Sequence, residues 1–516
     1  MPITVSKANK ALVVPAPVPE LWSTAPRLPD GSAVIPHTLA NTLLLRHFGW
    51  NVPSPIVSYY DWGGGGDQPF HTQKNTCVLL TENMRAYVLN EKGTGKTKAA
   101  CWSWDFLNKC GLAKKMLVVA PRSTLKFTWA REIFGTLPGR TVKILYGTKK
   151  ERLKALAEDA DIYVINHDGV KVIKKELELR TDIDTLCLDE LAVYRNNSER
   201  SKAMRKFAAR FKIVWGMTGG PMPNEVVDVW GQAMIITPNT VPRYRKTCKQ
   251  MLMTQVNEYK WLPKPDGVER AFSMLQPSIR YALDDVAELP ETIYRTIDVD
   301  MSPSQKATYL KVKREMLAMI QEKKIIAVNA GAAMSKLLQI ALGWVYTKAP
   351  EFVRLDAAPR IVSLFEQIDE CERKVIVMVP YRHAIEGLVD LCGRLKMSFD
   401  YCMVHGDTKD RDTLFNAFQN TPQFKVLFAH PGTIHHGLTL TAADTVIWYG
   451  PVTSYEVYDQ ANGRIIRVGQ QHKQQILHLQ AAPVERHLYS LLGRKEKVQD
   501  KLLGLLEDAT EQRDAK

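Results

Sequence analysis

The sequence predicts an α/β protein with two parallel-sheet lobes, a helical insertion between them and a short N-terminal extension. Short apolar runs without alternation are separated by helical segments from residue 86 to 215, as in parallel strands covered on both faces. This pattern stops between about residues 225 and 345 and returns from residue 374 to 479. Two separate strand–helix series favour two open sheets, and 516 residues suffice for about three domains.

The N-terminal extension, residues 1–66, carries few signals of regular structure. Its first 36 residues contain prolines at positions 15, 17, 19, 26, 29 and 36, which predicts an extended or mobile segment. Residues 37–50 have apolar residues at helical spacing and predict a helix. The four glycines at 63–66 predict a linker or a sharp loop.

The first lobe is predicted at residues 67–235 and the second at residues 355–495. Strands of the first lobe are predicted at 86–89, 116–120, 162–165, 186–188 and 213–215. Strands of the second lobe are predicted at 374–379, 401–404, 426–428, 445–448 and 476–479. The insertion, residues 236–354, is predicted to be mostly helical, with one helix over 303–324, and residues 496–516 form a charged tail.

Charge and composition restrict the class of protein. Lys plus Arg exceeds Asp plus Glu by 14, which favours a polyanionic partner, nucleic acid first and a membrane surface second. No apolar run approaches the roughly 18 residues of a membrane helix, and the N-terminus has no signal-peptide pattern. None of the eight cysteines are paired at C-x-x-C spacing. We therefore expect a cytoplasmic protein with reduced thiols, without zinc and without a membrane.

The strongest local signal is NEKGTGKT at residues 90–97, between a predicted strand and a helical stretch. In this setting glycines let backbone N–H groups surround a phosphate, and the helix N-terminus adds its dipole. Lys96 would contact the β- and γ-phosphates, and Thr97 would bind Mg²⁺. The first glycine of the general pattern is replaced by Asn90. The nucleotide-binding residues expected here are Gly93, Thr94, Gly95, Lys96 and Thr97.

A second signal is the acid pair Asp189 and Glu190 at the end of an apolar strand. Two adjacent carboxylates raise each other's pKa, and a metal ion relieves that repulsion. Asp189 would hold Mg²⁺, and Glu190 would orient or deprotonate the attacking water. An exposed acidic turn is the alternative, which the neighbouring phosphate-loop signal disfavours.

A third signal is QANGRIIRVGQ at residues 460–470. Arg464 and Arg467 stand three apart and would share a face of a helix. Two such arginines from the second lobe could stabilise transition-state charge on a γ-phosphate bound to the first. ATP would then lie between the lobes, which would close on ATP and open after hydrolysis. A basic helix face that contacts only solvent or DNA is the alternative.

These motifs together resemble those of SWI/SNF-type ATPases in helicase superfamily 2. That family carries D-E-x-G-x-G-K-T, a D-E-x-x box, L-T-G-T-P-x-x-N and Q-A-x-x-R-x-x-R-x-G-Q. The chain has the corresponding runs, in the same order, at 90–97, 189–192, 217–224 and 460–470. The resemblance implies two RecA-like lobes, a DNA-dependent ATPase or helicase, and ATP with Mg²⁺ as cofactors. It also makes Lys96, Asp189, Glu190, Arg464 and Arg467 the expected catalytic residues.

The same resemblance implies further binding residues. Gln73 matches the upstream glutamine that contacts adenine, and Gln460 begins the arginine-containing motif. The expected metal ligands are Thr97 and Asp189. The expected nucleic-acid contacts are Arg122, Ser123, Thr124, Asn166, His405, Gly406 and His435. Leu191, Ala192 and Gly220 depart from the family pattern at positions that normally couple ATP to DNA movement, so altered coupling is expected in an active ATPase.

The predicted function is an ATP-dependent DNA translocase or helicase that moves on duplex, forked or branched DNA without sequence preference. The compact form resembles bacterial or phage members, which implies replication, recombination or branch-migration work in a bacterial or phage-infected cell. Replication or recombination proteins are the possible partners. Two alternatives stay open: an RNA-stimulated helicase, and a DNA-binding scaffold that no longer hydrolyses ATP.

Overall fold

The computed structural model describes residues 3–62, 68–223, 225–257, 261–283, 285–286, 290–322, 327–346, 352–434, 438–467 and 469–493. The chain divides into two compact units, Met1–Ala287 and Glu288–Lys516. Three predicted features lie outside the described residues: the glycine run at 63–66, the nucleic-acid contact His435 and the charged tail at 496–516.

Unit 1 is built around a seven-stranded parallel sheet. The strands of unit 1 are β1 Thr4–Ser6, β2 Ala11–Val14, β3 Ala33–Pro36, β4 Arg85–Val88, β5 Lys115–Ala120, β6 Val142–Leu145, β7 Ile162–Asn166, β8 Ile183–Asp189, β9 Ile213–Met217, β10 Met253–Gln255, β11 Trp261–Pro263 and β12 Ser278–Ile279. The order in the large sheet is β12-β4-β9-β8-β5-β7-β6. Its central strands are buried along nearly their whole length, as their continuous apolar runs predict.

Helices cover both faces of this sheet. They are α1 Leu39–His47, α2 Pro55–Tyr59, α3 His71–Glu82, α4 Lys96–Lys109, α5 Arg131–Thr136, α6 Lys149–Ala157, α7 His167–Val172, α8 Lys174–Leu179, α9 Glu199–Ala208, α10 Val229–Ile236, α11 Arg245–Leu252 and α12 Gly267–Met274. Two separate apolar clusters lie against the sheet, one centred on Trp230 and the other on Trp104.

The N-terminal extension is folded, so the prediction of an extended or mobile segment is wrong for its described part. Strands β1, β2 and β3 form an antiparallel sheet. Leu12, Val14 and Ile35 are buried with Leu45 of α1. The proline content misled the prediction. The apolar residues of β2 and β3 alternate, so they lie on one face of the sheet, and that face is buried against α1. This region belongs to unit 1.

Unit 2 contains a second, six-stranded parallel sheet. The strands of unit 2 are β13 Thr292–Asp298, β14 Trp344–Tyr346, β15 Phe352–Arg354, β16 Lys374–Met378, β17 Tyr401–Val404, β18 Val426–Ala429, β19 Ala443–Trp448 and β20 Gln474–Gln480. Of these, β14 and β15 form a separate two-stranded sheet. The helices of unit 2 are α13 Pro303–Glu322, α14 Ala327–Ala341, α15 Ala358–Glu370, α16 Arg382–Leu395, α17 Arg411–Asn420, α18 Tyr455–Asn462 and α19 Pro483–Gly493. The sheet order is β13-β20-β19-β16-β18-β17. Two parallel sheets flanked by helices confirm the predicted fold class.

The predicted insertion, 236–354, is divided differently in the structure. Strand β12 pairs with β4 and completes the edge of the unit 1 sheet. Strand β13 pairs with β20 over seven residues at the edge of the unit 2 sheet. Neither strand has a clear apolar run. Both lie at the edge of a sheet, where the strand is partly exposed to solvent and a continuous apolar sequence is not needed. Within the described part of the chain, no helix combines the length and apolar content needed to cross a membrane.

Candidate active site

The loop after β4, predicted to bind phosphate, contains two glycines with positive φ angles. Gly93 and Gly95 have φ angles of 84° and 78°, in the left-handed region that side chains disfavour. A Cβ on Gly95 would also lie 2.0 Å from Nε2 of Gln73. The glycine at position 95 is therefore required both by the backbone angle and by the close approach of α3.

Lys96 is the first residue of α4 and turns back over this loop. Its Nζ donates hydrogen bonds to the carbonyl oxygens of Asn90 and Glu91, at 2.7 and 2.9 Å. Burial lowers the pKa of Lys96, and the nearby carboxylates of Glu190 and Asp189 partly oppose this effect. The ammonium group therefore lies between the loop and the acid pair. Thr97 follows it in the first turn of the helix.

Asn90 and Thr94 hold the loop from inside. Asn90 is 2% exposed; its Nδ2 donates to Oγ1 of Thr76 at 3.1 Å. Its Oδ1 accepts a hydrogen bond from the backbone N–H of Tyr281 at 3.0 Å. The Thr94 hydroxyl donates to the Glu91 carbonyl at 2.9 Å. The residue that replaces the usual first glycine thus anchors the loop to two neighbouring segments.

Gln73, predicted to contact adenine, is engaged inside the protein. Its Oε1 accepts from the backbone N–H of Phe70 at 2.9 Å, and its Nε2 donates to the Gly95 carbonyl at 3.4 Å. The side chain is buried. In this geometry Gln73 fixes the start of α3 against the loop.

The acid pair lies where β8 ends. Trp129 donates from Nε1 to Oδ2 of Asp189 at 2.9 Å. Burial, and next the charge of Glu190, raise the pKa of Asp189 to about 6. Glu190 has a φ of 53°, which is strained for a residue with a side chain. No sequence pattern signalled the contact between Trp129 and Asp189, because 60 residues separate them.

The residues after the acid pair form a 3-10 turn, Leu191–Tyr194. Leu191 is fully buried, and a Cβ on Gly216 would lie 2.5 Å from its Cδ2. The leucine at this unusual position therefore packs on β9. A Cβ on Gly220 would meet only open space, so packing does not require glycine there.

His167 and Tyr194 form a buried pair that sequence reasoning did not connect. Nδ1 of His167 lies 2.8 Å from the Tyr194 hydroxyl, and both side chains are buried. Burial lowers the pKa of His167 to about 4, so the ring is neutral at pH 7. The two residues follow different strands and lie 27 positions apart, a separation for which the sequence carries no signal.

The predicted nucleic-acid contacts of unit 1 differ in exposure. Arg122 is exposed, Ser123 is half-buried, and Thr124 is buried with its hydroxyl donating to the Pro121 carbonyl at 2.9 Å. Oδ1 of Asn166 accepts a hydrogen bond from Arg152 at 3.1 Å. Arg122 and Ser123 are thus better placed for an external ligand than Thr124 or Asn166.

In unit 2, Arg464 and Arg467 lie beyond the helix on which the sequence placed them. Helix α18 ends at Asn462, and both arginines lie in the turn and bend that follow it. Both guanidinium groups nevertheless converge on the Leu438 carbonyl, at 3.2 and 2.8 Å. Arg464 also donates to the Gln460 carbonyl at 2.8 Å. The two arginines therefore lie close together, as predicted, but a common hydrogen-bond acceptor brings them together and not a shared helix face.

A cavity of about 540 Å³ opens at the carboxyl ends of β16, β17 and β18. Gly406 lines it, and the buried His405 lies beside it, accepting at Nδ1 from the backbone N–H of Asp407 at 3.3 Å. Arg382 forms an ion pair with Asp407 at its mouth. The residues around the cavity are Tyr346, Pro380, Tyr381, Arg382, Gly406, Asp407, Arg411, His430, Gly432 and Thr433.

The donor set of unit 1 fits a magnesium nucleotide. Among the described residues there is no group of three or more His, Cys, Asp or Glu side chains arranged to hold a metal alone. Mg²⁺ in nucleotide sites needs only one or two protein oxygens, because phosphates and water supply the rest. The Asp189 carboxylate, whose pKa is raised by burial and next by the charge of Glu190, and the Thr97 hydroxyl match that requirement.

Family profiles agree with this geometry. The profile described as SNF2-related domain matches residues 71–344, more than half of the chain. The chain belongs to the SNF2-related family. A second profile, the helicase conserved C-terminal domain, matches residues 359–469. The predicted resemblance to SWI/SNF-type ATPases of superfamily 2 is confirmed, and the loop, acid pair and two arginines all lie within the matched segments.

Similar proteins come from phage and from eukaryotes. The p41 protein of Acyrthosiphon pisum secondary endosymbiont phage 1 is 25% identical over 413 residues, which cover 75% of this chain and 86% of that protein. The ISWI chromatin-remodeling complex ATPase ISW1 of Saccharomyces cerevisiae is 25% identical over 80% of this SNF2-related chain. The chain spans only 38% of the yeast protein. The Sulfolobus solfataricus SWI2/SNF2 ATPase core in complex with dsDNA is 19% identical, covers 88% of this chain and 97% of that one, and has a TM-score of 0.42.

Proposed function

We propose that the chain is an ATP-dependent DNA translocase that moves on duplex or branched DNA. The observation that carries the proposal is the meeting of a glycine loop, the Lys96 ammonium and the half-buried Asp189–Glu190 pair at one edge of a parallel sheet, in a member of the SNF2-related family. The name of the yeast relative, a chromatin-remodeling ATPase, supports DNA as the polymer. The excess of 14 positive charges is consistent with it.

Each residue of the unit 1 site has a role in this proposal. Lys96 exchanges the carbonyls of Asn90 and Glu91 for phosphate oxygens when nucleotide binds. Asp189 and Thr97 would hold Mg²⁺, which would supply positive charge to the phosphates. The Glu190 carboxylate accepts a proton from the water that attacks the γ-phosphorus, and ADP departs as the P–O bond breaks.

Residues of unit 2 complete the proposed chemistry. Arg464 and Arg467 are assigned to the charge that develops on the transferred phosphoryl group. Their convergence on one carbonyl supports a joint role, because both guanidinium groups are held at the same point. Gln460 is assigned to nucleotide binding beside them.

Nucleic-acid binding is assigned to groups in both units. In unit 1 these are the exposed Arg122 and the half-buried Ser123; in unit 2 the exposed Gly406 lines the cavity after β17, and the buried His405 beside it is assigned to the same contact. Contacts of this kind address the phosphate backbone and carry no sequence information. We therefore expect binding that is independent of sequence and weakens as salt rises. A role at forks or recombination junctions in a bacterial or phage-infected cell is the finer form of the proposal.

The test is steady-state ATP hydrolysis by the full chain with no polymer, single-stranded DNA, duplex DNA, forked DNA, four-way DNA and RNA. Duplex or branched DNA is expected to raise turnover most. Movement is then measured by displacement of a triplex-forming strand from duplex DNA, which requires tracking but no unwinding.

Lys96→Ala serves as the control for contaminating ATPases. Stimulation by RNA alone would replace the proposal with an RNA-stimulated helicase. Nucleotide and DNA binding without turnover would indicate a scaffold. Turnover without triplex displacement would leave a DNA-dependent ATPase and remove translocation.

A further inference from the structure

A series of contacts leads from the exposed Arg122 into the interior of unit 1. The Arg122 guanidinium lies 5.0 Å from the ring centre of Tyr146, which is itself 42% exposed. The guanidinium of Arg152 lies 5.8 Å from the same ring centre. One aromatic ring therefore contacts both an exposed and a buried arginine.

Arg152 continues the series toward β7. It is 7% exposed and donates from NH1 to the Leu145 carbonyl at 2.6 Å and to Oδ1 of Asn166 at 3.1 Å. A Cβ on Gly169 would lie 2.2 Å from its NH1, so the guanidinium occupies the space that a side chain at position 169 would need. Asn166 is joined by a peptide bond to His167, and its movement reaches that ring directly.

The series ends at the acid pair. His167 contacts the hydroxyl of Tyr194, the last residue of the 3-10 turn. That turn begins directly after Glu190, whose carbonyl accepts from the Val193 N–H at 3.0 Å. The Tyr194 carbonyl accepts from the Ser201 hydroxyl at 3.2 Å. The strained backbone of Glu190 is thus fixed by a turn whose far end is held by the His167 ring.

We propose that the His167–Tyr194 pair positions Glu190 and transmits nucleic-acid contact at Arg122 to it through Tyr146 and Arg152. This inference rests on the proposed function. Closely packed and hydrogen-bonded groups transmit a displacement because the interior leaves no space to absorb it. His167 and Tyr194 are positioning residues, since they act on Glu190 through the backbone.

The experiment measures kcat and KM for ATP at saturating duplex DNA. Tyr194→Phe removes only the hydroxyl of the pair. We expect it to lower DNA-stimulated kcat about tenfold with KM for ATP unchanged, because misplacement of a reacting group slows chemistry more than binding. His167→Leu should have the same effect. His167→Asn should restore most of the turnover, because its amide can donate or accept at the position of Nδ1.

Tyr163→Phe is the matched control. Tyr163 is a buried tyrosine of β7 whose hydroxyl donates to the Glu158 carbonyl at 2.9 Å, at the opposite end of the strand. The same hydroxyl accepts from the Ala160 N–H at 3.2 Å and from Arg180 at 3.0 Å. Tyr163→Phe therefore removes more hydrogen bonding than Tyr194→Phe without touching the turn. We expect Tyr163→Phe to lose at least as much thermal stability as Tyr194→Phe and still to keep nearly wild-type stimulated turnover.

A double-mutant cycle tests the transmission. The DNA stimulation of ATP turnover is measured at saturating DNA for Arg122→Ala, Tyr194→Phe and the double variant. If contact at Arg122 acts through Tyr194, the double variant should lose no more stimulation than the more affected single variant. Additive losses would overturn the transmission. Equal losses in Tyr163→Phe and Tyr194→Phe, or no rescue by His167→Asn, would overturn the positioning role. Wild-type turnover that no nucleic acid raises would instead overturn the proposed function itself.

Discussion

The carboxyl ends of the two parallel sheets carry polar residues in opposite environments. In unit 1 the Lys96 ammonium, Asp189 and Gln73 are enclosed by neighbouring groups, with hydrogen bonds to loop carbonyls and to an indole. In unit 2 the residues around the cavity include Arg382 and Asp407, both exposed and paired with each other. Both units therefore use the same edge of a parallel sheet, but the charged side chains are enclosed in unit 1 and exposed around the cavity of unit 2.

This difference separates two kinds of chemistry. Ligands of open α/β sheets bind at the carboxyl ends of the strands, so both edges are expected binding sites. Buried charges interact strongly and hold shifted pKa values, as Asp189 does, which suits bond breaking. Exposed pairs are screened and exchange partners readily, which suits reversible contact with a polyanion.

The largest effect is expected in the enclosed site of unit 1. Glu190→Gln removes the carboxylate that accepts the proton, so kcat for ATP should fall about 10³-fold while nucleotide affinity stays within about threefold. Lys96→Ala should abolish turnover and also weaken nucleotide binding, since a phosphate contact is lost. Fluorescent-nucleotide titration and steady-state turnover separate the two. Retained turnover in Glu190→Gln would mean that another group activates the water.

A smaller loss is expected for Arg467→Lys in unit 2. Lysine keeps the charge but loses the planar fork, so kcat should fall about 10²-fold with ATP binding retained. Thermal unfolding checks that the contact with Leu438 is not needed for folding. Unchanged kcat would remove Arg467 from the proposed chemistry and leave it as a structural contact.

A stability effect is expected at His478 in unit 2. Burial lowers its pKa to about 4, below the value near 6.5 expected when the chain unfolds. The unfolded state therefore binds the proton more tightly, and stability falls as pH drops through this interval. From pH 7 to pH 5 the loss should be about 2 kcal/mol from this group.

His478→Gln should remove that pH-dependent loss while keeping a partner for the Tyr458 hydroxyl, which lies 2.8 Å from Nε2. Urea unfolding at pH 7 and at pH 5 measures the loss of unfolding free energy in the variant and in the wild type. An equal loss of stability in the variant and the wild type would show that His478 does not titrate in this range.

The smallest effect is expected at the exposed cavity of unit 2. Arg382→Gln should weaken duplex binding about threefold and reduce the slope of log affinity against log salt by about one. Arg394→Gln is the matched control, because this arginine lies on the same helix, is 69% exposed and pairs with Asp390. Equal effects of the two variants would mean a general charge effect instead of a contact at the cavity.

Much of the fold was predictable because parallel strands must be apolar on both faces. The run at 162–165 predicted β7, and the run at 401–404 matches β17 to the residue. Strands β6 and β13 were missed. Both lie at sheet edges and contain charged residues, such as Lys143 and Arg295, which sequence patterns assign to loops or helices.

Local sequence patterns were enough to predict the family, the two-sheet architecture and the chemical types in the unit 1 site, since glycine spacing, a lysine and paired acids have local requirements. Which groups contact each other is seen only in the folded chain. Trp129 on Asp189, Asn90 on Tyr281 and His167 on Tyr194 join segments far apart in the chain. Such contacts depend on strand order in the sheet, and no local pattern of residues encodes that order.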